Sequence, residues 1–181
     1  LAQVFLEAQP FIFAGSIDKK GQVWTSILMG EVGFLEVLND KTINIESPET
    51  DKTLFENLQN NGQIGLLAIE FETRRRMRAN GRAKIVENSL IIETEEVFSN
   101  CPKYIQARFW ERVENSNILA ESMESFTELP ENQIAWIENS DTFIIASHHQ
   151  TRGADVSHRG GNVGFIKVKD NKTLIFPDYS G

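Results

Sequence analysis

The stretch FIFAGSIDKKGQVWTSILMGEVGFLEVLNDKTINI, residues 11–45, carries the pattern of strands and turns that decides the fold. A short apolar run comes first and is followed by DKKG, residues 18–21, which is a typical turn sequence. Strand-forming residues fill QVWTSILMG, and the next segment alternates in polarity before it turns at Asn39 and Asp40. The stretch therefore predicts two antiparallel hairpins.

The residues after this stretch predict one inserted helix and a continuation of the same sheet. Thr50 or Asp51 is the expected helix cap, and Asn61-Gly62 is the expected helix end. Further strands are predicted in QIGLLAIEF and in RRRMRANGRAKIVENSLIIET, with turns at 80–81 and 87–88. Six such strands with one helix predict a small closed barrel, mainly β with short helices, because closure removes the unpaired edges of a sheet.

The opening stretch recurs later in the chain. FIIASHHQTRGADVSHRGGNVGFIKVKDNKTLIF, residues 143–176, aligns with it at eleven identical positions once one residue is dropped near Leu28. A short amphipathic helix is predicted before each stretch, and Pro130 is a plausible start for the second helix. Any two β-hairpins share some features, but here the glycines also fall in register. We interpret the pair as an internal repeat.

The repeat predicts how the chain divides. A first barrel unit is expected over residues 1–95, a helical connector over 96–129, and the start of a second unit over 130–181. The second copy is incomplete, because the first copy continues with a helix and more strands. We expect a further segment of chain or another molecule to supply the missing wall, since an open half-barrel exposes strand edges.

Composition limits the classes of function. The formal net charge of −8 argues against a general nucleic-acid binder, although it leaves room for a local basic site. No apolar run approaches the ~20 residues that span a bilayer. The single cysteine, Cys101, cannot form an internal disulfide, which fits a cytoplasmic location. The chain begins at Leu1 rather than at Met, so we expect an N-terminal piece to precede it.

Three motifs together resemble one protein family. They are LLAIEFETRRRMRANGRA (66–83), NCPKYIQAR (100–108) and DVSHRGGNVGFIKV with TLIFPDYSG (155–181). The chain is similar to the pyridoxamine 5′-phosphate oxidase-related proteins with an FMN-binding split barrel, in the branch with tandem barrels. The resemblance implies a Greek-key split barrel, FMN bound between barrels, and homodimers. In some relatives a ferredoxin-reductase-like module follows, so a fused or associated reductase domain is an alternative partner.

The segment SHRGG offers donors for the terminal phosphate of FMN. Ser157 supplies a hydroxyl, His158 an imidazole and Arg159 a forked guanidinium, while Gly160 lets the backbone approach closely. Strand alternation places Ser157 and Arg159 on one face, and His158 on the other. Ser157 and Arg159 are therefore the preferred phosphate ligands, and His158 is expected to face the neighbouring barrel.

A second group of candidates closes the chain in PDYSG, where Asp178, Tyr179 and Ser180 follow the last hairpin. The first copy has Thr25-Ser26-Ile27 where the second has Ser157-His158-Arg159, and it lacks the tyrosine. If each unit once held a flavin, the second copy has kept the site and the first has become scaffold.

The run of arginines over 74–82 is the one dense basic segment of the chain. Most such runs are solvated strand ends, but the resemblance favours Arg76 or Arg78 as a group near the flavin phosphate. Gln106 is a further candidate, either as a hydrogen-bond partner of the flavin ring or as part of a structural corner.

The sequence supports an FMN-binding protein, and an FMN-dependent oxidoreductase above the alternatives. The partners expected are the flavin and a small-molecule substrate or electron donor, and no catalytic side chain is identified. A non-catalytic flavin carrier is one alternative. A haem-binding or haem-degrading split barrel is another, with His148, His149 or His158 as ligand. A metal site built from these histidines with Asp155 and Asp178 is not expected, because their spacing matches no usual ligand pattern.

Overall fold

The computed structural model describes residues 2–111 and 124–179. Seven strands in the first part form one antiparallel sheet, together with two helices. In chain order these elements are α1 (Ala2–Glu7), β1 (Phe11–Ile17), β2 (Val23–Met29), β3 (Leu35–Asn39), β4 (Thr42–Ile45), α2 (Lys52–Asn61), β5 (Gln63–Glu70), β6 (Arg75–Val86) and β7 (Ser89–Ser99). None of the helices in the described residues is long and apolar enough to cross a membrane.

The sheet closes into a barrel. Its strand order is β2-β1-β5-β6-β7-β4-β3, in which β4 returns beside β7 in a Greek-key arrangement. The β2 edge is joined to the segment after β4 by two backbone hydrogen bonds between Met29 and Glu49, of 2.9 and 2.8 Å. The predicted fold class, a mainly β barrel with short helices, is confirmed.

One hydrophobic core fills the barrel and receives side chains from all seven strands and both helices. Ile12 of β1, Leu28 of β2 and Ile45 of β4 are almost fully buried, although these strands lie at different positions in the sheet. Burying each such side chain contributes about 1.5–3 kcal/mol. The core therefore holds the sheet in its curled form.

The inserted helix has the predicted ends. Asp51 is the N-cap, and its Oδ1 accepts a hydrogen bond of 3.2 Å from the backbone N–H of Leu54. Gly62 ends the helix with a φ of 67°, a left-handed conformation that glycine adopts without strain.

The prediction of a turn at residues 80–81 is wrong. Strand β6 runs through Asn80 and Gly81 without interruption, with an irregular register against β7 at this point. A Cβ on Gly81 would lie 2.0 Å from the backbone oxygen of Glu93. The glycine is therefore required by the close approach of β7, and the turn lies at residues 87–88 alone.

The prediction of a helical connector over residues 96–129 is also wrong in the described part of that range. Residues 96–99 complete β7, which runs past the expected boundary at residue 95. Residues 100–111 form an irregular segment, in which Tyr104 has a φ of 66° and Ile105 is buried. Residues 124–129 are irregular too, and the rest of the predicted connector, residues 112–123, lies outside the described residues.

After residue 129 a helix and two hairpins follow. The elements are α3 (Glu131–Glu138), β8 (Thr142–His149), β9 (Gly153–Gly160), β10 (Lys167–Asp170) and β11 (Thr173–Ile175). Strand β9 lies across β1 and β5 of the barrel, at one glycine in each strand. A Cβ on Gly65 would be 2.6 Å from the Asp155 Cα, and one on Gly15 would be 2.5 Å from the Val156 Cγ2. Small residues in β1 and β5 thus let β9 approach the outside of the barrel.

The two stretches aligned in the sequence share local geometry. Gly21 and Gly153 both have positive φ, at 81° and 78°. Gly30 packs against Phe34, and Gly161 packs against Phe165 in the same way. The β3–β4 and β10–β11 hairpins each carry an irregularity just before the turn. That residues 130–181 are an incomplete second copy stays a prediction.

Candidate functional site

Four basic side chains meet where β9 crosses β6. Arg76 and Arg78 project from β6, and His158 and Arg159 from β9; we call these four residues the cationic cluster. Residues 76, 78 and 80 share one face of β6 because strand side chains alternate. Arg75, which precedes these residues, is not part of the cluster and forms an ion pair of 2.6 Å with Glu70.

Arg76 and His158 are joined directly. Arg76 Nη1 lies 3.2 Å from His158 Nδ1 and donates a second, longer bond of 3.4 Å to the backbone oxygen of His158. A guanidinium has only donors, so His158 Nδ1 accepts and the ring proton lies on Nε2. Arg159 Nη1 donates to the same backbone oxygen at 3.2 Å. Both arginines therefore converge on one peptide group.

The carboxylate of Asp155 binds one member of the cluster, Arg78. Arg78 Nη1 donates to Asp155 Oδ2 at 2.8 Å, and Asn80 Nδ2 donates to Asp155 Oδ1 at 3.0 Å. The Arg78 side chain is 14% exposed and that of Asp155 is 29% exposed. Two donors fix this carboxylate, which therefore links β6 to β9.

The electrostatics of the cluster are those of crowded cations. Burial lowers the pKa of Arg76, and the charges of Arg78 and Arg159 lower it further. Burial also lowers the pKa of Arg78, with Arg159 adding to the effect and Asp155 opposing it. The pKa of His158 falls from 6.5 to about 4, mainly because the ring is buried and also because Arg76, Arg159 and Arg108 lie nearby. His158 is therefore neutral near pH 7, and the surplus charge comes from the arginines.

Several buried polar atoms of this region have no hydrogen-bond partner among the described residues. Three of them are donors of the cluster: Arg76 Nε, Arg78 Nε and His158 Nε2. A buried donor without an acceptor costs about 1–3 kcal/mol. Grouped donors among three arginines, of which only Arg78 is paired with a carboxylate of the described residues, suit an anion with several acceptor oxygens, and a phosphate group has these properties.

The other candidates from SHRGG and CPKYIQ lie beside the cluster, where residues 100–111 contact the end of β9. A Cβ on Gly160 would lie 2.1 Å from the backbone oxygen of Tyr104, so only glycine allows this contact. Gln106 Nε2 donates to the backbone oxygen of Gly161 at 2.8 Å, which makes it a tie between the 100–111 segment and β9. Ser157 is buried and forms no hydrogen bond to the described members of the cluster. His158 rather than Ser157 thus contacts the arginines of β6.

Of the candidates at the chain end, Tyr179 is found in contact with the segment beside the cluster. The Tyr179 ring stacks on the Tyr104 ring with 4.6 Å between centroids and 24° between planes. Asp178 forms no hydrogen bond to another described residue, and Ser180 lies outside the described residues. Tyr179 is therefore next to the backbone that covers Gly160.

Three contributors were missing from the predicted site: Asp155, Asn80 and Phe71. The Phe71 ring packs edge-on against the His158 ring at 6.5 Å. Asp155 is two residues before Ser157 in the same strand, and strand alternation alone could have placed both on one face. Asn80 was hidden by its assignment to a turn.

The remaining histidines lie elsewhere. His148 Nε2 is 3.0 Å from Gln63 Oε1, and His149 Nδ1 is 3.1 Å from Thr151 Oγ1. Within residues 2–111 and 124–179, no group of three or more His, Cys, Asp or Glu side chains is arranged to hold a metal ion.

Solved structures with a similar fold are distant. HupZ of Group A Streptococcus is 19% identical, with a TM-score of 0.45 over 54% of this chain and 89% of that chain. A putative pyridoxamine 5′-phosphate oxidase of Lactobacillus delbrueckii is 17% identical, with a TM-score of 0.42 over 54% and 90%. An FMN-binding protein of Syntrophomonas wolfei is 10% identical, with a TM-score of 0.42 over 54% and 81%. These likenesses are too weak to bear on function.

The sequence comparisons are more decisive. No curated protein matches the chain. The family model described as pyridoxamine 5′-phosphate oxidase matches residues 2–112, which include the whole barrel and two members of the cationic cluster, Arg76 and Arg78. This match spans more than half of the sequence, and the chain therefore belongs to the pyridoxamine 5′-phosphate oxidase family.

Proposed function

We propose that this chain binds FMN and that the cationic cluster holds the terminal phosphate of the cofactor. The observation that supports this most strongly is the group of three unpartnered buried donors among three arginines. The phosphate of FMN supplies several acceptor oxygens and two negative charges above its second pKa of about 6. Arg76, Arg78, Arg159 and His158 Nε2 are the groups that would hold it.

The residues beside the cluster favour a ligand that carries an aromatic ring system. Tyr104 and Tyr179 form an exposed aromatic stack next to Gly160, and Gln106 lies two residues further along the same segment. Aromatic faces and a nearby amide are suited to a flat heterocycle with polar edges. Bound FMN would supply the redox chemistry, and these residues would orient the ring and exclude water.

The reaction proposed is that of an FMN-dependent oxidoreductase on a small molecule. No catalytic side chain is assigned, because the described donors of the site serve phosphate binding. We further propose that residues 130–181 begin a second barrel unit, and that a second copy of the chain or an associated reductase domain completes the cofactor site. A cytoplasmic location is part of the same proposal and fits the free thiol of Cys101.

The geometry supports flavin above haem at this site. A haem ligand needs a free imidazole nitrogen, but His158 is 2% exposed and its Nδ1 accepts from Arg76. Its Nε2 carries the proton and lies beside Gly160, in a cluster that holds three arginines, where an iron centre would add positive charge. An anion relieves this repulsion.

Titration of the purified protein with FMN and with riboflavin, followed by flavin fluorescence, tests the proposal. Arg76→Gln and Arg159→Gln each remove a charge-assisted bond and should weaken FMN binding about 10- to 100-fold. Riboflavin lacks the phosphate, so its binding should not change. Arg82→Gln is the matched control, because Arg82 lies on the same strand in an exposed pair with Glu95.

Two outcomes decide the assignment. Equal affinity of the unmodified protein for FMN and riboflavin would contradict the phosphate site. Reduction of bound flavin by NADH or NADPH, followed by reoxidation with a substrate, separates an enzyme from a flavin carrier.

A further inference from the structure

We propose that Asp155 limits the charge of the anion that the cationic cluster accepts, so that the cluster takes one phosphate monoester dianion and discriminates against diphosphates. This inference rests on the anion site of the proposed function. It assigns to Asp155 a role in specificity in addition to its structural contacts.

The position of Asp155 supports this role. Its carboxylate lies beside the cluster and accepts two hydrogen bonds, from Arg78 at 2.8 Å and from Asn80 at 3.0 Å. Its backbone is also fixed, because β9 rests on Gly65 at this residue. The carboxylate therefore cannot turn away when an anion binds, and its negative charge stays beside the ligand.

The net charge of the site matches that of a dianion. Arg76, Arg78 and Arg159 contribute three positive charges, and Asp155 contributes one negative charge. His158 is neutral near pH 7. The nearby cation Arg108 is paired with Asp141, so this pair adds no net charge. The described groups thus leave two positive charges, which a phosphate monoester dianion neutralises.

A ligand with a different charge fits less well. A monoanion leaves one buried cation uncompensated, and a diphosphate brings excess negative charge to a partly dehydrated site. Both situations are costly where water is scarce. The repulsion between Asp155 and a bound anion is proportional to the charge of the anion. Asp155 therefore penalises a diphosphate more than a monophosphate.

Calorimetric titration with three simple probes tests this inference. At about pH 8, above the second pKa of a phosphate monoester of ~6, dimethyl phosphate is a monoanion, methyl phosphate a dianion and methyl diphosphate a trianion. We expect the unmodified protein to bind methyl phosphate at least as tightly as methyl diphosphate, and about 10-fold more tightly than dimethyl phosphate.

The variant Asp155→Asn keeps the size of the side chain and removes its charge. We expect affinity to rise about fivefold per ligand charge in a partly solvated site, hence about 5-, 25- and 125-fold for the three probes in order of charge. The control is Glu95→Gln, which removes one negative charge from an exposed arginine pair and should leave all three affinities within about twofold.

The alternative is that Asp155 only positions Arg78. In that case Asp155→Asn would weaken all three probes, or change them equally, and the inference would be overturned. Should Asp155→Asn fail to fold, Asp155→Ser removes the same charge and gives the same test. Gains that grow with probe charge support the inference, and losses or equal changes refute it.

These probes also separate the inference from the proposed function. If methyl phosphate follows the expected scaling but FMN does not bind, the flavin assignment fails and the charge limit stands. If FMN binds and the scaling is absent, the charge limit alone fails.

Discussion

A single methyl group on β5 should disassemble the site without entering it. Gly65→Ala places a Cβ 2.6 Å from the Asp155 Cα, 2.8 Å from the Ala154 backbone oxygen and 2.9 Å from the Asp155 backbone nitrogen. Non-bonded carbon atoms pack best at about 3.5–4.0 Å. Strand β9 must therefore move away from β5 by about 1 Å, since all three neighbours are backbone atoms.

The displacement of β9 would break the hydrogen bonds that Asp155 makes beside the cluster. The bonds of Asp155 to Arg78 and Asn80 measure 2.8 and 3.0 Å. An added separation of about 1 Å takes them beyond hydrogen-bond distance. We expect the free energy of unfolding to fall by about 1–3 kcal/mol, as for other overpacked sites. Phosphate affinity should fall at least 10-fold, because the arginines of β6 and β9 no longer converge.

Urea unfolding and calorimetric titration with inorganic phosphate measure the two effects on the same protein. Ile92→Val is the control, because Ile92 is buried in the barrel core away from β9, and the change costs about 0.5–1.5 kcal/mol. This control should lose stability and keep its phosphate affinity. Phosphate binding that is unchanged in Gly65→Ala would refute the claim that contact of β9 with β5 assembles the site.

Two further predictions concern the fold and its dependence on pH. The pKa of His158 is about 4 in the folded protein, against 6.5 for an unperturbed histidine, so the unfolded chain binds the extra proton as pH falls through this interval. The stability associated with neutral His158 is fully present above about pH 6.5 and should decline by up to about 3 kcal/mol towards pH 4. In urea unfolding, the free energy of unfolding of His158→Gln should fall less between pH 7 and pH 5 than that of the unmodified protein. An equal fall in both proteins would contradict the role of His158. Asp51→Ala removes the cap of α2 and should lower the free energy of unfolding by about 1 kcal/mol, whereas Asp51→Asn should retain most of it in the same urea assay.

The parts of the fold that depend on local chemistry could be predicted from the sequence. The cap at Asp51 and the end at Gly62 follow from short-range hydrogen bonds, and both are found. Asn80-Gly81 is consistent either with a turn or with a strand irregularity. Only the approach of Glu93 from β7 decides between them, and this contact is not local. The irregular segment 100–111 was missed for the same reason, since its contacts are made to β9 and to the chain end.

The candidate site was predicted in its residue types rather than in its geometry. Arg76, Arg78, His158 and Arg159 were all named, because phosphate binding requires cations and donors. The crossing of β9 over β6 depends on the packing of strands far apart in sequence, so the pairing of Arg76 with His158 had no sequence signal. The glycines in β1 and β5 were a usable hint, since a glycine within a strand often marks a close approach of backbone.

The crossing of β9 has a consequence for how the protein responds to its ligand. The strand that covers Gly15 and Gly65 also carries Asp155, His158 and Arg159. Ligand occupancy and attachment of the hairpin are therefore linked equilibria, and each stabilises the other. Amide hydrogens of β8 and β9 should exchange with solvent more slowly at saturating phosphate, while those of β3 and β4 keep their rates.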